Sequence, residues 1–172
     1  NGVWGEPQRL NVNTQFKDEF DPVARNNSWD SSPAFSQDGR TMYFASNRPG
    51  GYGGTDLYSA QMDSRGRFSR VRNLGPEINT AGNELFPYVA EDAKLYFASD
   101  GHPGFGGLDL FVVKRASGKT TIENLGEPMN SPADDFGIFL FRPDRGFFTS
   151  NREEGKGDDD IYTFVNEDPN LK

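Results

Sequence analysis

One stretch of 13 residues occurs three times at nearly even spacing: SNRPGGYGGTDLY at 46–58, SDGHPGFGGLDLF at 99–111 and SNREEGKGDDDIY at 150–162. Its serines, Ser46, Ser99 and Ser150, lie 53 and then 51 residues apart, and each stands ten residues before an aspartate, Asp56, Asp109 or Asp160. The match extends upstream through MYFAS (42–46), LYFAS (95–99) and GFFTS (146–150). It continues through residues 30–39 (Asp30, then SSPAFSQDG), ELFPYVAEDA (84–93) and, more loosely, DDFGIFLFRPDRG (134–146). NLGPEINT (73–80) matches NLGEPMNS (124–131), and a shorter RLNVNT (9–14) opens the first copy. So many matched positions make an internal repeat, and a repeat of this length means one supersecondary unit stacked on its neighbours.

Each copy offers four short β-candidates. The first is apolar and follows an acidic residue (Ala34-Phe35, Phe86–Val89, Ile138–Phe141), and a turn follows it: Asp38-Gly39 in copy one, Asp144-Arg145-Gly146 in copy three. Copy two has Asp92-Ala93 there, without the glycine that takes φ > 0 at little cost. The second candidate is the Tyr-Phe-Ala-Ser run, the third starts at the aspartate, and the fourth runs from an aromatic to a leucine, as in Phe68 to Leu74. Consecutive apolar residues in the second strand fit a sheet covered on both faces. With no apolar pattern of helical period, the reading is all-β: four-stranded antiparallel sheets as β-propeller blades. About three blades are expected, over 30–74, 75–125 and 126–165, the last without its outer strand. Residues 4–10, within an opening segment 1–14, are expected as the outer strand of a preceding blade, residues 15–29 as a polar surface loop and 166–172 as a tail. Closed propellers take typically about 4–8 blades, so either the chain belongs to a larger ring of about six, or two copies complete one.

The segment Pro33-Ala34-Phe35-Ser36-Gln37-Asp38-Gly39, followed by Tyr43-Phe44-Ala45-Ser46-Asn47-Arg48 and Asp56-Leu57-Tyr58, resembles the WD-like propeller repeat of the TolB type. The longer form, Asn-Leu-Gly-Pro-x-Ile-Asn-Thr with Gly-x-Gly-Gly-x-Asp-Leu, is similar to the propeller segment of OmpA-family envelope proteins, including the peptidoglycan-associated component of type IX secretion. That resemblance covers the chain apart from residues 15–29. It implies a protein-binding scaffold, periplasmic or associated with the outer membrane. Carbohydrate or peptide binding, and the propeller part of a hydrolase whose catalytic domain lies elsewhere, are the other readings.

Charge narrows the partners. The formal charge is −8, which argues against nucleic acid, whose phosphates select basic surfaces. There is no cysteine, so disulfides and thiolate metal sites are excluded. No apolar run is long enough for a membrane-spanning helix, so direct insertion is not expected. A protein partner in the cell envelope is expected, and a homodimer if the chain stands alone. The chain opens at Asn1 on polar residues with no signal peptide, consistent with a removed leader or a section of something longer.

In an up-and-down sheet the long loops share one end of the blades. Their outward residues Arg48, Tyr52, His102, Phe105 and Arg152 differ among the copies and form the expected contact face. Asp56, Asp109 and Asp160 are read as turn aspartates that cap backbone N–H groups where the third strand begins. The loop nearly spells a calcium β-roll nonapeptide but carries one residue too many and recurs at the wrong period, so no metal is expected. Asp30, Glu84 and Asp134, three positions before Pro33, Pro87 and Gly137, are candidates for a carboxylate ring at the channel mouth, set against simple capping of their own loops. Asp158-Asp159-Asp160 reads as a solvated loop. No G-x-S-x-G elbow occurs, His102 is the only histidine, and SQDGRTMYF departs from the sialidase Asp-box, so no catalytic residue and no cofactor are assigned.

Overall fold

The computed structural model describes residues 2, 4–13 and 28–167. The described residues form three antiparallel sheets and no helix. The first sheet holds β1 (Asp30–Phe35), β2 (Thr41–Ser46), β3 (Asp56–Met62) and β4 (Phe68–Asn73), in the order β1-β2-β3-β4. The second repeats this with β5 (Glu84–Val89), β6 (Leu95–Ser99), β7 (Asp109–Ala116) and β8 (Lys119–Asn124). The third has β9 (Asp135–Arg142), β10 (Arg145–Ser150) and β11 (Asp160–Val165), with no fourth strand among the described residues. These are blades one, two and three.

At the serine that ends strand two, the register is the same in every blade. Asp30, Glu84 and Asp135 face Ser46, Ser99 and Ser150 across the first pair of strands. Those serines in turn face Asp56, Asp109 and Asp160. Strand one carries a bulge in each blade, after Ser31, Leu85 and Phe136. The residues inside it, Ser32, Phe86 and Gly137, all take positive φ, at 52°, 51° and 64°. Gly137 therefore stands with Phe86, not with Pro87, and the acidic residue that opens strand one of blade three is Asp135. The expected equivalence of Asp134 with Asp30 and Glu84 is off by one residue, because the looser match in this copy hid the bulge.

The core lies between sheets. Tyr43, Ala45 and Leu57 of blade one pack on Leu95, Phe97, Phe111 and Val113 of blade two. Tyr88, Tyr96 and Leu110 of blade two pack on Ile138, Phe148, Tyr162 and Phe164 of blade three. Apolar residues on both faces of the second and third strands are what this stacking requires. Each blade thus has a leading face toward its predecessor and a trailing face toward its successor.

Two linking segments also join the blades. The side chain of Asn79 accepts from Leu57 N–H at 2.8 Å and donates to Leu57 C=O at 3.0 Å. Asn130 does the same with Leu110, at 2.7 and 2.9 Å. Both carboxamides are buried and also reach back to the end of strand four, to Asn73 Oδ1 and Asn124 Oδ1.

Two expectations are corrected. Residues 4–10 form no strand, and among the described residues no strand edge pairs with them. Gly146 lies in β10, opposite Leu140 and Phe164, and not in a turn; a Cβ there would meet Phe139 O at 2.1 Å. The expected loop at 15–29 lies outside the described residues except for 28 and 29, and of the tail only 166 and 167 are described.

The turn of blade two holds Ala93 at φ 63°, where blade one has Gly39 at φ 66°. A Cβ in this left-handed region costs about 1–2 kcal/mol, part of which glycine returns through its freer unfolded chain. Ala93→Gly is therefore expected to stabilise the protein by about 0.5–1 kcal/mol in urea unfolding; a loss of stability would contradict the strain assigned to this turn.

Candidate functional site

The long loops between strands two and three lie beside the linking segments of the next blade. Gly54 N–H donates to Gly82 O at 2.8 Å and Glu84 N–H to Thr55 O at 2.8 Å. In the next pair, Gly107 N–H donates to Ala133 O at 3.2 Å and Asp135 N–H to Leu108 O at 2.6 Å. The approach is so close that a Cβ on Gly53 would meet Gly82 O at 2.3 Å, and one on Gly106 would meet Ala133 O at 2.1 Å. The glycines of the motif thus let one blade's loop lie against the next blade's linker.

Each turn aspartate holds its own loop. Asp56 accepts from Tyr52 N–H at 2.7 Å, Gly53 N–H at 3.1 Å and Asn73 Nδ2 at 2.6 Å. Asp109 accepts from Phe105 N–H at 2.9 Å and Gly106 N–H at 3.2 Å through Oδ2, and Asp160 from Lys156 and Gly157 N–H in the same way. Their settings differ. Asp109 is buried and its Oδ1 has no partner, because Asn124 turns its amide to Pro103 O. Burial, outweighing the two amides, raises its pKa above the ordinary aspartate value of 3.8. Asp160 is more open, and the amides of Lys156 and Gly157 lower its pKa below 3.8.

Arg48 and Arg152 do not point outward as expected. Each guanidinium lies over two aromatic rings, 5.1 and 4.8 Å from Phe44 and Tyr58 for Arg48, 5.0 and 4.9 Å from Phe148 and Tyr162 for Arg152. Each is paired at 2.6 Å with the carboxylate that opens strand one, Asp30 or Asp135. Each also donates to the serine that ends strand two, Ser46 or Ser150, and to a linker carbonyl, Val12 O or Met129 O. Blade two builds the same place from His102, one residue later in its loop. Its ring packs on Phe97 and Phe111, and its Nε2 lies 2.8 Å from Ile78 O.

Where arginine becomes the shorter histidine, aspartate becomes the longer glutamate. Glu84 is buried, receives Thr80 N–H and the hydroxyls of Thr80 and Ser99, and has no ion pair. Asp30, Glu84 and Asp135 therefore do not ring a channel mouth: each is turned into its own blade and satisfied there. Asp134 does something else, accepting from Leu108 N–H at 2.7 Å and exchanging hydrogen bonds with Asn151. Among the described residues no three His, Asp or Glu side chains are grouped to hold a metal ion. Asp158 and Asp159 are exposed.

Tyr52 and Phe105 are the expected contact residues that remain on the surface, at 53% and 49% exposure. They occupy equivalent positions on adjacent blades, and the backbone N–H of each is held by the turn aspartate. Lys156, also exposed, stands at this position in blade three. Sequence reasoning missed Asn79, Asn130 and Asp135. The signal for the two asparagines was the NLGPEINT–NLGEPMNS match itself, each six residues after Asn73 or Asn124.

No protein-family model matches the chain, and no curated protein matches it. Among solved structures, a puromycin hydrolase mutant complexed with PGG is similar over 80% of this chain and 27% of its own, at 16% identity and TM-score 0.45. A second puromycin hydrolase structure is similar over 71% of this chain and 25% of its own, at 16% identity and TM-score 0.42. The chain thus spans about a quarter of the length of these structures. The blade assignment rests on the sheets themselves.

Removing Arg152 would leave the buried Asp135 charge with only the Ser131 amide and hydroxyl, so Arg152→Ala is expected to cost about 3 kcal/mol in denaturant unfolding. Arg152→Gly with Glu153→His and Asp135→Glu, the combination blade two uses at Gly101, His102 and Glu84, should recover part of that loss; no recovery would mean that the two arrangements are not alternatives for one place.

The aspartates predict opposite pH behaviour. A lowered folded pKa, as for Asp160, gives stability that is present above 3.8 and lost as pH falls through the folded value. A raised one, as for Asp109, favours the fold below 3.8, and that contribution is lost as pH rises through the folded value. At about pH 7, Asp160→Asn should therefore be the more destabilising change although Asp109 is the more buried, and its deficit should close toward about pH 3. Urea unfolding at both pH values decides it; the reverse order would remove the charge assignment.

Proposed function

We propose that this chain is part of a non-catalytic interaction scaffold of the bacterial cell envelope, and that it meets a protein partner through the loop face of its blades. The observation that carries this reading is the pair Tyr52 and Phe105, exposed aromatics repeated on adjacent blades, on loops already fixed by Asp56 and Asp109. An aromatic group on a pre-ordered loop loses little entropy on binding, and such residues are frequent anchors of interfaces. Beside them the loop of blade three exposes Glu153, Glu154, Asp158 and Asp159 around Lys156. A partner segment with apolar residues followed by basic ones complements that order. Most of the polar groups that chemistry would draw on are engaged in holding the blades together: Asp56 and Asp160 by backbone amides, Asp109 by amides on one of its two oxygens, Arg48 and Arg152 by carboxylates and rings, His102 by a carbonyl. Placement in the periplasm or at the outer membrane rests on the resemblance of the repeat motifs to envelope proteins.

A photo-crosslinking residue at Tyr52 or Phe105, in the envelope fraction of the source organism, tests this. One discrete protein adduct is expected at both sites and none from the outer-strand position Val71. Tyr52→Ser with Phe105→Ser should weaken binding of that protein about thirtyfold, the size of a hot-spot loss, without lowering the unfolding midpoint. Unchanged binding by the double variant would refute the loop-face reading, and retention of a glycan in place of a protein would move the ligand to carbohydrate.

A further inference from the structure

The two ends of the stack are complementary, and the repeat shows how they fit. Leu57 on blade one and Leu110 on blade two are both 0% exposed, covered by the next blade and clasped by Asn79 and Asn130. Their equivalent on blade three, Ile161, is 79% exposed. Phe139, Phe147 and Val165 are exposed on the same trailing face. Gly157, equivalent to Gly53 and Gly106, has nothing within 4 Å of its Cβ position, where the other two press against a linker. Among the described residues no strand pairs with the outer edge of β11.

The matching parts lie at the start of blade one. Val12 packs with Met42, Phe44, Tyr58, Ala60 and Phe68 on its leading face, as Ile78 packs on blade two. In the repeat, Asn13 stands where Asn79 and Asn130 stand, and Trp4 to Arg9 where β4 stands. Trp4 takes the position of Phe68, a buried residue, yet it is 98% exposed, the most of any large hydrophobic side chain among the described residues. Pro7 suits an outer edge strand, whose outward side needs no N–H. Between blades two and three lies a cleft of about 920 Å³, lined by Tyr96, Val112, Leu125, Leu140 and Phe164, at the place a strand beside β11 would cover.

We propose that two copies of this chain associate head to tail. Residues 4–9 of one copy add to the free edge of β11 of the other, with Trp4 entering the cleft. Asn13 clasps the backbone N–H and C=O of Ile161, and the leading face of blade one covers the trailing face of blade three. Such a contact is heterologous and forms a closed assembly only if it is made at both ends. Closed propellers take typically about 4–8 blades, and two copies of the three described blades give six, inside that range. This inference does not depend on what the loop face binds.

Sedimentation velocity of the 172-residue chain at micromolar concentration is the test. The expected mass is twice 19.1 kDa. Ile161→Asp, at an exposed position, should leave each copy folded by circular dichroism and weaken the dimer at least about tenfold, the effect of ~1.4 kcal/mol. The chain has no cysteine, so Asn13→Cys chains mixed with Ile161→Cys chains should join through a short bismaleimide, while neither alone should. A monomeric parent, a dimer indifferent to Ile161→Asp, or equal cross-linking within one variant would overturn the proposal.

Discussion

Most of the architecture depends on one buried carboxamide per blade junction. A side chain that enters between two sheets must satisfy whatever backbone groups it meets there. Asn79 and Asn130 each offer one acceptor and one donor on a single planar group, matched to the N–H and C=O of one strand residue, Leu57 or Leu110. Aspartate would lack the donor, and leucine would leave the buried strand N–H without a partner at a cost of roughly 1–3 kcal/mol. The same amide reaches Asn73 or Asn124 at the end of the outer strand. A single residue therefore ties the outer strand of a blade, its third strand and the linker to the next blade, and it sets how far the next sheet can slide.

Once that register is set, the loops have little freedom left. The linker lies where Gly53 or Gly106 must admit it, and the turn aspartate then collects the N–H groups that the wide turn exposes. On the leading face a cation–aromatic stack closes the blade. In blades one and three the guanidinium is paired with a carboxylate of low exposure, so desolvation of each charge is offset by the other. Blade two reaches the same packing without a charge pair: a histidine fills the space over the rings, and Glu84 keeps the linker amide and hydroxyl that Asp135 also receives and adds the hydroxyl of Ser99. Two chemical solutions thus stand on one sheet frame, and between them the carboxyl and the group over the rings differ together.

The strands were legible because the repeat displays the first three of them three times and the outer one twice, and an accidental pattern would not recur with the same serine-to-aspartate spacing. What stayed hidden has local causes. The bulge in strand one inserts a residue whose positive φ is carried by serine, phenylalanine and glycine in turn, so no residue type marks it, and the count from Asp134 to Gly137 misled. Arg48 and Arg152 read as surface residues because arginine in a polar loop usually is one. The signal to the contrary lay in strands two and three, where Phe44 with Tyr58 and Phe148 with Tyr162 supply a stacked pair wherever the arginine occurs. His102 escaped the comparison because Gly101 displaces it by one position, and only the fold brings it to the same rings. Residues 4–10 show a different limit: a sequence can carry the pattern of an outer strand, but a strand forms only against a partner edge.

A repeat is also an internal control on which residues serve the scaffold. Positions filled alike in all three copies, such as the serine that ends strand two and the aspartate that opens strand three, have their partners inside the blade. The position held by Tyr52, Phe105 and Lys156 uses its backbone N–H for the scaffold in every copy, while its side chain points to solvent and changes character. That division is what a binding surface requires, since the backbone contact fixes where the side chain starts and leaves its chemistry free to match a partner. Ile161 lies on the other side of the same division. Its type follows Leu57 and Leu110, apolar and fit for a clasped and covered strand, while its exposure does not. Residue type agreeing with the buried copies while exposure disagrees is the mark of a surface made to be covered, whereas a change of type with exposure, as at Lys156, is the mark of one that stays in water until a ligand arrives.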